Sequence, residues 1–269
     1  MALIHRSANA HKGNQGAVGV IGGAQGMVGA VFLAARAALF AGAGKVFVIR
    51  PDSDDPLRVD PLTPELMFID SEQAKSKPIN SWVLGPGLGI SERAHHLTVG
   101  TLRQNAPVLV DADGLNLMAQ DSSLIRQCAR RTATTILTPH AGEAARLLAR
   151  SIADIESNRE ASARALAQRF NAITVLKGKG SVIAEPAGTT YINPTGNAAL
   201  ATGGTGDVLA GVIGALIAQG LAPNNAVRDG VRLHGLAAER LTAQIGGVIG
   251  LTASELIREI RTLINMVRP

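Results

Sequence analysis

The segment Asn197-Ala-Ala-Leu-Ala-Thr-Gly-Gly-Thr-Gly-Asp-Val-Leu-Ala-Gly211 has the greatest capacity for chemistry in this chain. Gly203, Gly204, Thr205 and Gly206 lead into Asp207, and apolar residues at helical spacing follow: Val208, Leu209, Val212, Ile213, Leu216 and Ile217. Glycines ahead of a helix let the main chain approach a ligand closely. The free N–H groups of the helix start then point at one spot of positive potential, which suits a phosphate or a phosphoryl group in transit. A carboxylate is repelled by such a ligand. The simplest purpose for Asp207 is therefore to take a proton from a hydroxyl facing the phosphate. The alternative is a glycine-rich cap with Asp207 as a first-turn partner of the helix dipole, and it leaves the density of glycine without a reason.

Other segments offer complementary groups. Lys177-Gly178-Lys179-Gly180-Ser181 supplies two amines, two flexible glycines and a hydroxyl that could wrap the phosphates or ribose of a nucleotide. A hairpin-prone turn with solvated lysines accounts for the same residues equally well. Asp111-Ala-Asp-Gly-Leu-Asn116 sets two carboxylates and an amide at a strand end, suited to holding Mg2+ through water or orienting phosphates. An Asx-turn capping a short helix is the competing reading, and for Asp113 the simpler one. His140 and Glu143 lie in Thr138-Pro-His-Ala-Gly-Glu143, where Pro139 and Gly142 shape a loop that favours a ligand contact for His140. Glu143 is either a first-turn helix acid or a group that meets magnesium through water. Gly22-Gly-Ala-Gln-Gly26 lacks the G-x-G-x-x-G spacing, and the next strand ends at Arg50 where a dinucleotide site wants an acid. It serves better as a loop of close approach, with Gly29 and Ala30 leaving room beneath a helix. His95, His96 and His234 lack metal-ligand spacing and read as ordinary helix residues. No Walker loop, zinc spacing or G-x-S-x-G elbow occurs.

The elements that would position these groups alternate. Strands are expected at Ala17–Gly22, Lys45–Ile49, Leu66–Ile69, Trp82–Leu84, Val108–Val110, Ile136–Leu137 and Ile173–Leu176, with a hairpin pair at Ser181–Ala184 and Thr190–Ile192. Helices are expected at Ala30–Phe40, Ser91–Asn105 and Ala144–Ala149. Another runs from a capping box at Ser157-Asn-Arg-Glu160 to Phe170, and two or three close the chain, the last from the box Thr252-Ala-Ser-Glu255 to about Met266. A Pro- and Asp-rich loop covers Pro51–Pro64. Short connections without a long linker predict one doubly wound α/β domain over residues 1–269, a mostly parallel sheet between two helix layers. The motifs at Gly22, Gly85–Gly89, Asp111–Asp113, Thr138–Glu143 and Lys177–Ser181 then share the carboxyl edge of the sheet, where such folds bind ligands.

Composition agrees. Apolar residues make up 46% of 269 and aromatics only 3%, with 30 glycines, so the core must be aliphatic and closely packed. The lone Cys128 excludes an intrachain disulfide and points to a reducing compartment. No apolar run suits a signal peptide or a bilayer span, and a soluble cytoplasmic protein is expected. The net charge of +5 is spread over helices and interleaved with acids, without aromatic platforms, which argues against nucleic acid.

Taken in order, His11-Lys-Gly13, Val20-Ile-Gly-Gly23 with Gly29-Ala30, Gly42-Ala-Gly44, Gly85-Pro-Gly-Leu-Gly89, Asp111–Asn116, Thr138–Glu143, Leu176–Ser181 and Thr195–Gly211 resemble the ADP/ATP-dependent NAD(P)H-hydrate dehydratases of the ribokinase-like superfamily. The resemblance implies dehydration of the S form of NADH or NADPH hydrate (NADHX, NADPHX) with ADP as co-substrate, through phosphorylation of the ring hydroxyl and loss of phosphate. It implies Asp207 as base, the amides around Gly204, Thr205 and Gly206 on the phosphoryl group, and Lys177–Ser181 with Gly206 on the nucleotide. Ala30, Gly87, His140 and Asp207 would meet the hydrate, and Mg2+ would ride on the phosphates. It further implies a homotetramer, and a separate NAD(P)H-hydrate epimerase, since the epimerase domain often fused in front is absent from these residues. The departures are Lys179 and Ser181, where Ala and Thr are usual, and Ala141 in place of Pro. A ribokinase-like kinase of a hydroxyethylthiazole or hydroxymethylpyrimidine is the rival reading; it shares the G-T-G-D segment but stops at the phosphorylated product.

Overall fold

Alternate side chains of Ala17–Ile21 (β1) and Lys45–Ile49 (β2) enter two different cores, which is how strands buried on both faces read as unbroken apolar runs. Val18, Val20, Val46 and Val48 face one layer, and Ala17, Ile21, Phe47 and Ile49 the other. The computed structural model describes residues 9, 11, 13–52 and 59–266. Lys12 of the His11-Lys-Gly13 motif, most of the N-terminal run before it and residues 53–58 of the Pro51–Pro64 loop lie outside the described residues.

The remaining strands are Met67–Phe68 (β3), Ser81–Leu84 (β4), Val108–Val110 (β5), Thr135–Leu137 (β6), Ile173–Leu176 (β7), Val182–Ala184 (β8) and Thr190–Ile192 (β9). They form one nine-stranded sheet ordered β3-β2-β1-β4-β5-β6-β7-β8-β9. Pairing is parallel from β3 through β7, and β8 and β9 add an antiparallel hairpin. The expected mostly parallel α/β sheet, covered by helices on both faces, is what forms.

The helices are Val28–Phe40 (α1), Ser71–Lys75 (α2), Glu92–Leu102 (α3), Asp113–Gln120 (α4), Ser122–Ala129 (α5), Ala141–Leu148 (α6), Ile152–Ser157 (α7), Arg159–Phe170 (α8), Thr205–Ala218 (α9), Pro223–Ile245 (α10) and Ala253–Met266 (α11). Helices α1, α9, α10 and α11 cover one face of the sheet, and α3 to α8 the other. Small residues set the spacing between α1 and α9. A side chain at Gly211 would collide with the Ala34 carbonyl, and one at Gly214 with Val83 of β4. Much of the glycine in this stretch therefore serves close helix packing.

Local details depart from the sequence reading where two polar signals compete. The box expected at Ser157–Glu160 does not form. Ser157 ends α7, and Asn158 caps α8 by accepting the Ala161 N–H at 3.1 Å. The reciprocal box opens α7 instead, between Ser151 and Asp154. The Thr252–Glu255 box forms as expected, with the Thr252 N–H on Glu255 Oε2 at 2.8 Å. Helix α2, capped by Asp70, and helices α4, α5 and α7 are short insertions that the apolar pattern does not mark. Helix α6 starts three residues before the expected Ala144 because His140 caps it.

Candidate active site

Parallel order β1-β4-β5-β6-β7 puts the carboxyl ends of five neighbouring strands on one edge, together with the five motifs that follow them. Two loops meet at the first pair of strands. Gly23 N–H donates to the Pro86 carbonyl at 2.9 Å and Ala24 N–H to the Gly87 carbonyl at 2.7 Å. Gly87 takes φ +58°, and a methyl group there would press on Met27 and sit 3.1 Å from Cβ of Ala30. Only glycine lets these two loops close, and closure places Ala30 beside Gly87.

Asp111 follows β5 and is 1% exposed. Its Oδ1 accepts from Lys177 Nζ at 2.6 Å, and Glu143 Oε2 lies 4.0 Å from the same nitrogen. The backbone brings Lys177 there by extending β7: its N–H donates to the Pro139 carbonyl at 2.8 Å, one residue before His140. A buried carboxylate needs such a partner. The Lys177 ammonium is held above its usual range: burial alone would lower it, but Asp111, Glu143 and Asp207 outweigh that.

Ala112 takes φ +49°, ψ −119°, a strained conformation for a residue with a side chain. The twist sends the carboxylates on either side to different partners. Asp113 Oδ2 accepts the Gly89 N–H at 2.8 Å, and its Oδ1 accepts from Asn116 Nδ2 at 3.1 Å. Asp113 makes no side-chain cap to its own helix. Contrary to the capping reading, it fastens the Gly85–Gly89 loop to α4. Asn116 in turn accepts from Arg146 Nε at 3.1 Å.

His140 is the N-cap of α6. Its Nδ1 accepts from Gly142 N–H at 3.0 Å, while Glu143 Oε2 accepts the His140 N–H at 2.8 Å. An accepting Nδ1 leaves the proton on Nε2 of the neutral ring. Burial, with Lys177 and Arg146 nearby, lowers the imidazole pKa, so the neutral form is favoured. Burial and Asp111 raise that of Glu143, although Lys177 opposes them.

Helix α9 enters from the opposite layer. Gly204 is its N-cap at φ +89°, and a side chain there would strike Leu33 of α1. A methyl group at Gly206 would sit 3.3 Å from Lys177 Nζ and 3.7 Å from Asp111 Oδ2. The first turn of α9 therefore lies directly against the buried ion pair. The Thr205 N–H donates to the Thr202 carbonyl at 3.4 Å, and the next helix amide with an acceptor is that of Val208, on the Gly204 carbonyl at 3.1 Å. The amides of Gly206 and Asp207 precede it, as the unpaired donors of a helix start. Burial first, then the charge of Asp111, pushes the Asp207 carboxyl up to about 7, with Lys177 pulling the other way and Asp113 and Glu143 adding to the rise.

Lys177 thus stands in the cluster with Gly206 and Asp207, whereas Lys179 is exposed on the hairpin turn between β7 and β8. Ser181 Oγ donates to the Gly178 carbonyl at 3.3 Å across that turn, and Gly178 packs against the Arg159 guanidinium. Two groups carry more weight than sequence reasoning assigned them. Asp111 is the lysine's partner, and His234 is buried at 7% exposure with Nε2 2.8 Å from the Thr205 carbonyl. A histidine on the apolar face of α10, among Val227, Val231 and Ala238, was the available signal for the second.

Comparison with known proteins adds to this geometry. The profile of a family described as NAD(P)H-hydrate dehydratase matches residues 18–262. The chain is 41% identical to an ADP-dependent (S)-NAD(P)H-hydrate dehydratase of Neisseria meningitidis, covering 97% of this chain and 89% of that protein. It is 41% identical to a bifunctional NAD(P)H-hydrate repair enzyme of Coxiella burnetii, where 98% of this chain spans 53% of the relative. Its fold matches the crystal structure of an ADP/ATP-dependent NAD(P)H-hydrate dehydratase from Bacillus subtilis, co-crystallized with ATP/Mg2+, at a TM-score of 0.85. That match has 31% identity over 98% of this chain and 94% of that one.

Proposed function

This chain belongs to the NAD(P)H-hydrate dehydratase family, and we propose that it restores NADH and NADPH from their S hydrates at the expense of ADP. The carrying observation is the place of Asp207 in the first turn of α9, where unpaired amides meet the half-buried Lys177 ammonium and burial pushes the carboxyl up to about 7. A base with a pKa near neutrality balances ionisation against proton affinity.

In this reading Asp207 removes the proton of the ring hydroxyl, whose oxygen attacks the terminal phosphorus of ADP. The bond from that phosphorus to the bridging oxygen breaks, and AMP leaves. The amides of Gly204 and Gly206 hold the oxygens of the phosphoryl group in transit, Thr205 between them being tied by its own N–H to the Thr202 carbonyl, and Lys177 supplies positive charge beside them. The phosphate ester then departs as inorganic phosphate. The ring nitrogen's lone pair drives that departure, and the adjacent ring carbon gives up a proton as the double bond returns. Lys177–Ser181 and Gly206 take the nucleotide. Ala30, Gly87 and His140, the last through its Nε2–H, take the hydrate.

Among the described residues no three His, Cys, Asp or Glu side chains group as a metal site. Asp111 and Glu143 already serve Lys177 and the His140 amide. That arrangement fits a hydrated Mg2+ carried on the nucleotide, whose waters Asp111 and Glu143 would meet. Bound there, it would neutralise charge on the phosphates. The same reading takes residues 1–269 as one catalytic domain in a homotetramer, supplied with the S hydrate by a separate epimerase. No helix of the described residues is long and apolar enough to cross a membrane, in keeping with work in the cytoplasm.

The test is recovery of reduced-nicotinamide absorbance from purified S-NADHX with ADP and Mg2+, where Asp207→Asn is expected to lower kcat by about 100- to 10,000-fold. Phosphorylation of a vitamin-precursor alcohol without NADH recovery would instead establish the kinase.

A further inference from the structure

Helix α10 lies along the whole segment that leads to Asp207. Thr195 Oγ1 donates to the Arg232 carbonyl at 3.2 Å, and Gly196 N–H donates to Glu239 Oε1 at 2.8 Å. Asn197 Nδ2 reaches Thr242 Oγ1 at 2.8 Å, and a side chain at Gly235 would collide with Thr195 and Gly196. His234 continues this row into the first turn of α9, with its Nε2 2.8 Å from the Thr205 carbonyl. A carbonyl can only accept, so Nε2 carries the proton and the bond points from the imidazole to the peptide. Burial keeps the ring neutral.

The Thr205 carbonyl and the Gly206 N–H are two ends of one planar peptide unit, and they point in opposite directions. A donor fixed on the carbonyl end therefore sets the direction of the N–H end. It also draws electron density toward the oxygen, which makes the amide a stronger donor, as in any hydrogen-bonded chain. The N–H end faces the mouth of α9, where phosphoryl charge is expected to develop. We propose that His234 is a positioning residue for phosphoryl transfer: its Nε2–H, acting through the Thr205–Gly206 peptide, aims and polarises the Gly206 amide toward the phosphoryl group. The inference rests on the dehydratase reading for the identity of the charge stabilised, but the peptide link itself exists in the protein alone.

Two variants separate this role from simple packing. His234→Leu fills similar space without a donor, and His234→Gln keeps an N–H donor of similar reach. With S-NADHX, ADP and Mg2+, His234→Leu is expected to lose about 10- to 100-fold in kcat, a part of what removing a whole oxyanion donor costs. The KM values for hydrate and ADP should stay within about threefold, since an aimed amide acts on charge that grows in the transition state. His234→Gln should recover most of the loss. In 15N-labelled protein without ligands, the Gly206 amide resonance should move in His234→Leu and return toward its wild-type position in His234→Gln.

Equal kcat in His234→Leu and wild type, or an equal loss in both variants, would overturn the proposal. An unmoved Gly206 resonance in His234→Leu would do so as well. Should His234→Leu not fold, His234→Gln decides alone, and a kcat more than about tenfold below wild type counts against the inference. Wild-type protein that leaves the hydrate unchanged defeats the dehydratase reading, while the Gly206 resonance still tests the peptide link.

Discussion

The pH dependence of turnover gives the sharpest test of the buried cluster. Asp207 must be ionised to take a proton, and its carboxyl sits at about 7 instead of the ordinary 3.8. With that value, about nine-tenths of the protein carries the ionised base at about pH 8 and about one-tenth at about pH 6. The hydrate kcat/KM should then fall about tenfold across the interval, where an ordinary aspartate gives a flat line. The perturbation is Asp111→Asn, which keeps the shape and removes the charge. After burial, that charge is the largest contributor raising Asp207. Its loss also frees the Lys177 ammonium, now 2.6 Å from Asp111 Oδ1, to act on Asp207 in full. Both changes favour the carboxylate, so the acid limb should move toward lower pH by on the order of one unit. The assay is initial-rate recovery of reduced-nicotinamide absorbance at fixed, saturating Mg-ADP, each variant normalised to its own alkaline plateau. The bound nucleotide is negative and pushes the limb upward in both proteins, so their difference is the readout. A limb that stays in place or moves alkaline would refute the electrostatic coupling between strand β5 and helix α9.

Other outcomes follow from the same geometry. Lys177→Ala strips the partner from a buried carboxylate and is expected to cost on the order of 3 kcal/mol by denaturant unfolding. It should also raise the ADP KM more than it lowers kcat, and an unchanged KM would remove Lys177 from the phosphate site. A raised carboxyl stabilises the fold fully only below its unfolded value, 3.8, and that contribution is lost as pH climbs through about 7. Asp207→Asn should therefore melt a few degrees higher than wild type at about pH 8, with little difference at about pH 4; equal melting at both would mean the carboxyl is well solvated. Gly204→Ala meets both a positive φ and the Leu33 side chain, and should lose about 1–3 kcal/mol of stability along with turnover. Wild-type stability in that variant would show that the loop can take another path.

Much of this architecture was legible in the sequence because both faces of the sheet are covered. Runs such as Lys45–Ile49 admit few other roles, and strand ends followed by glycine or aspartate mark the ligand edge. The short helices were harder, because α2, α4, α5 and α7 run to little more than two turns at most and leave little periodicity to detect. At Ser157, Asn158 and Ser151 several residues could cap, and the winner depends on where α7 packs, which is tertiary information. In the site, Asp207 stood out through its glycine neighbours, and Lys177 through its place after β7. The partnership of Lys177 with Asp111 joins residues 66 apart in sequence, and local spacing carries no trace of it. Asp113 misled for a related reason, since its acceptor role is filled by the Gly89 amide on a different loop.

The seam between α1 and α9 carries a consequence for how this protein tolerates change. Where Gly211 meets the Ala34 carbonyl there is no slack for even one methyl group, and at Gly214 a methyl group would press on the Val83 side chain at 2.6 Å. The rod bearing Asp207 is thus seated by contacts one and two turns removed from the reaction, through atoms the glycines do not have. A substitution at either position would shift the rod's near end by roughly the width it adds, without touching a reacting group. Engineers seeking sturdier variants should leave both glycines alone and look to the outer face of α3, where Gly100 is exposed in helical backbone with open space around it.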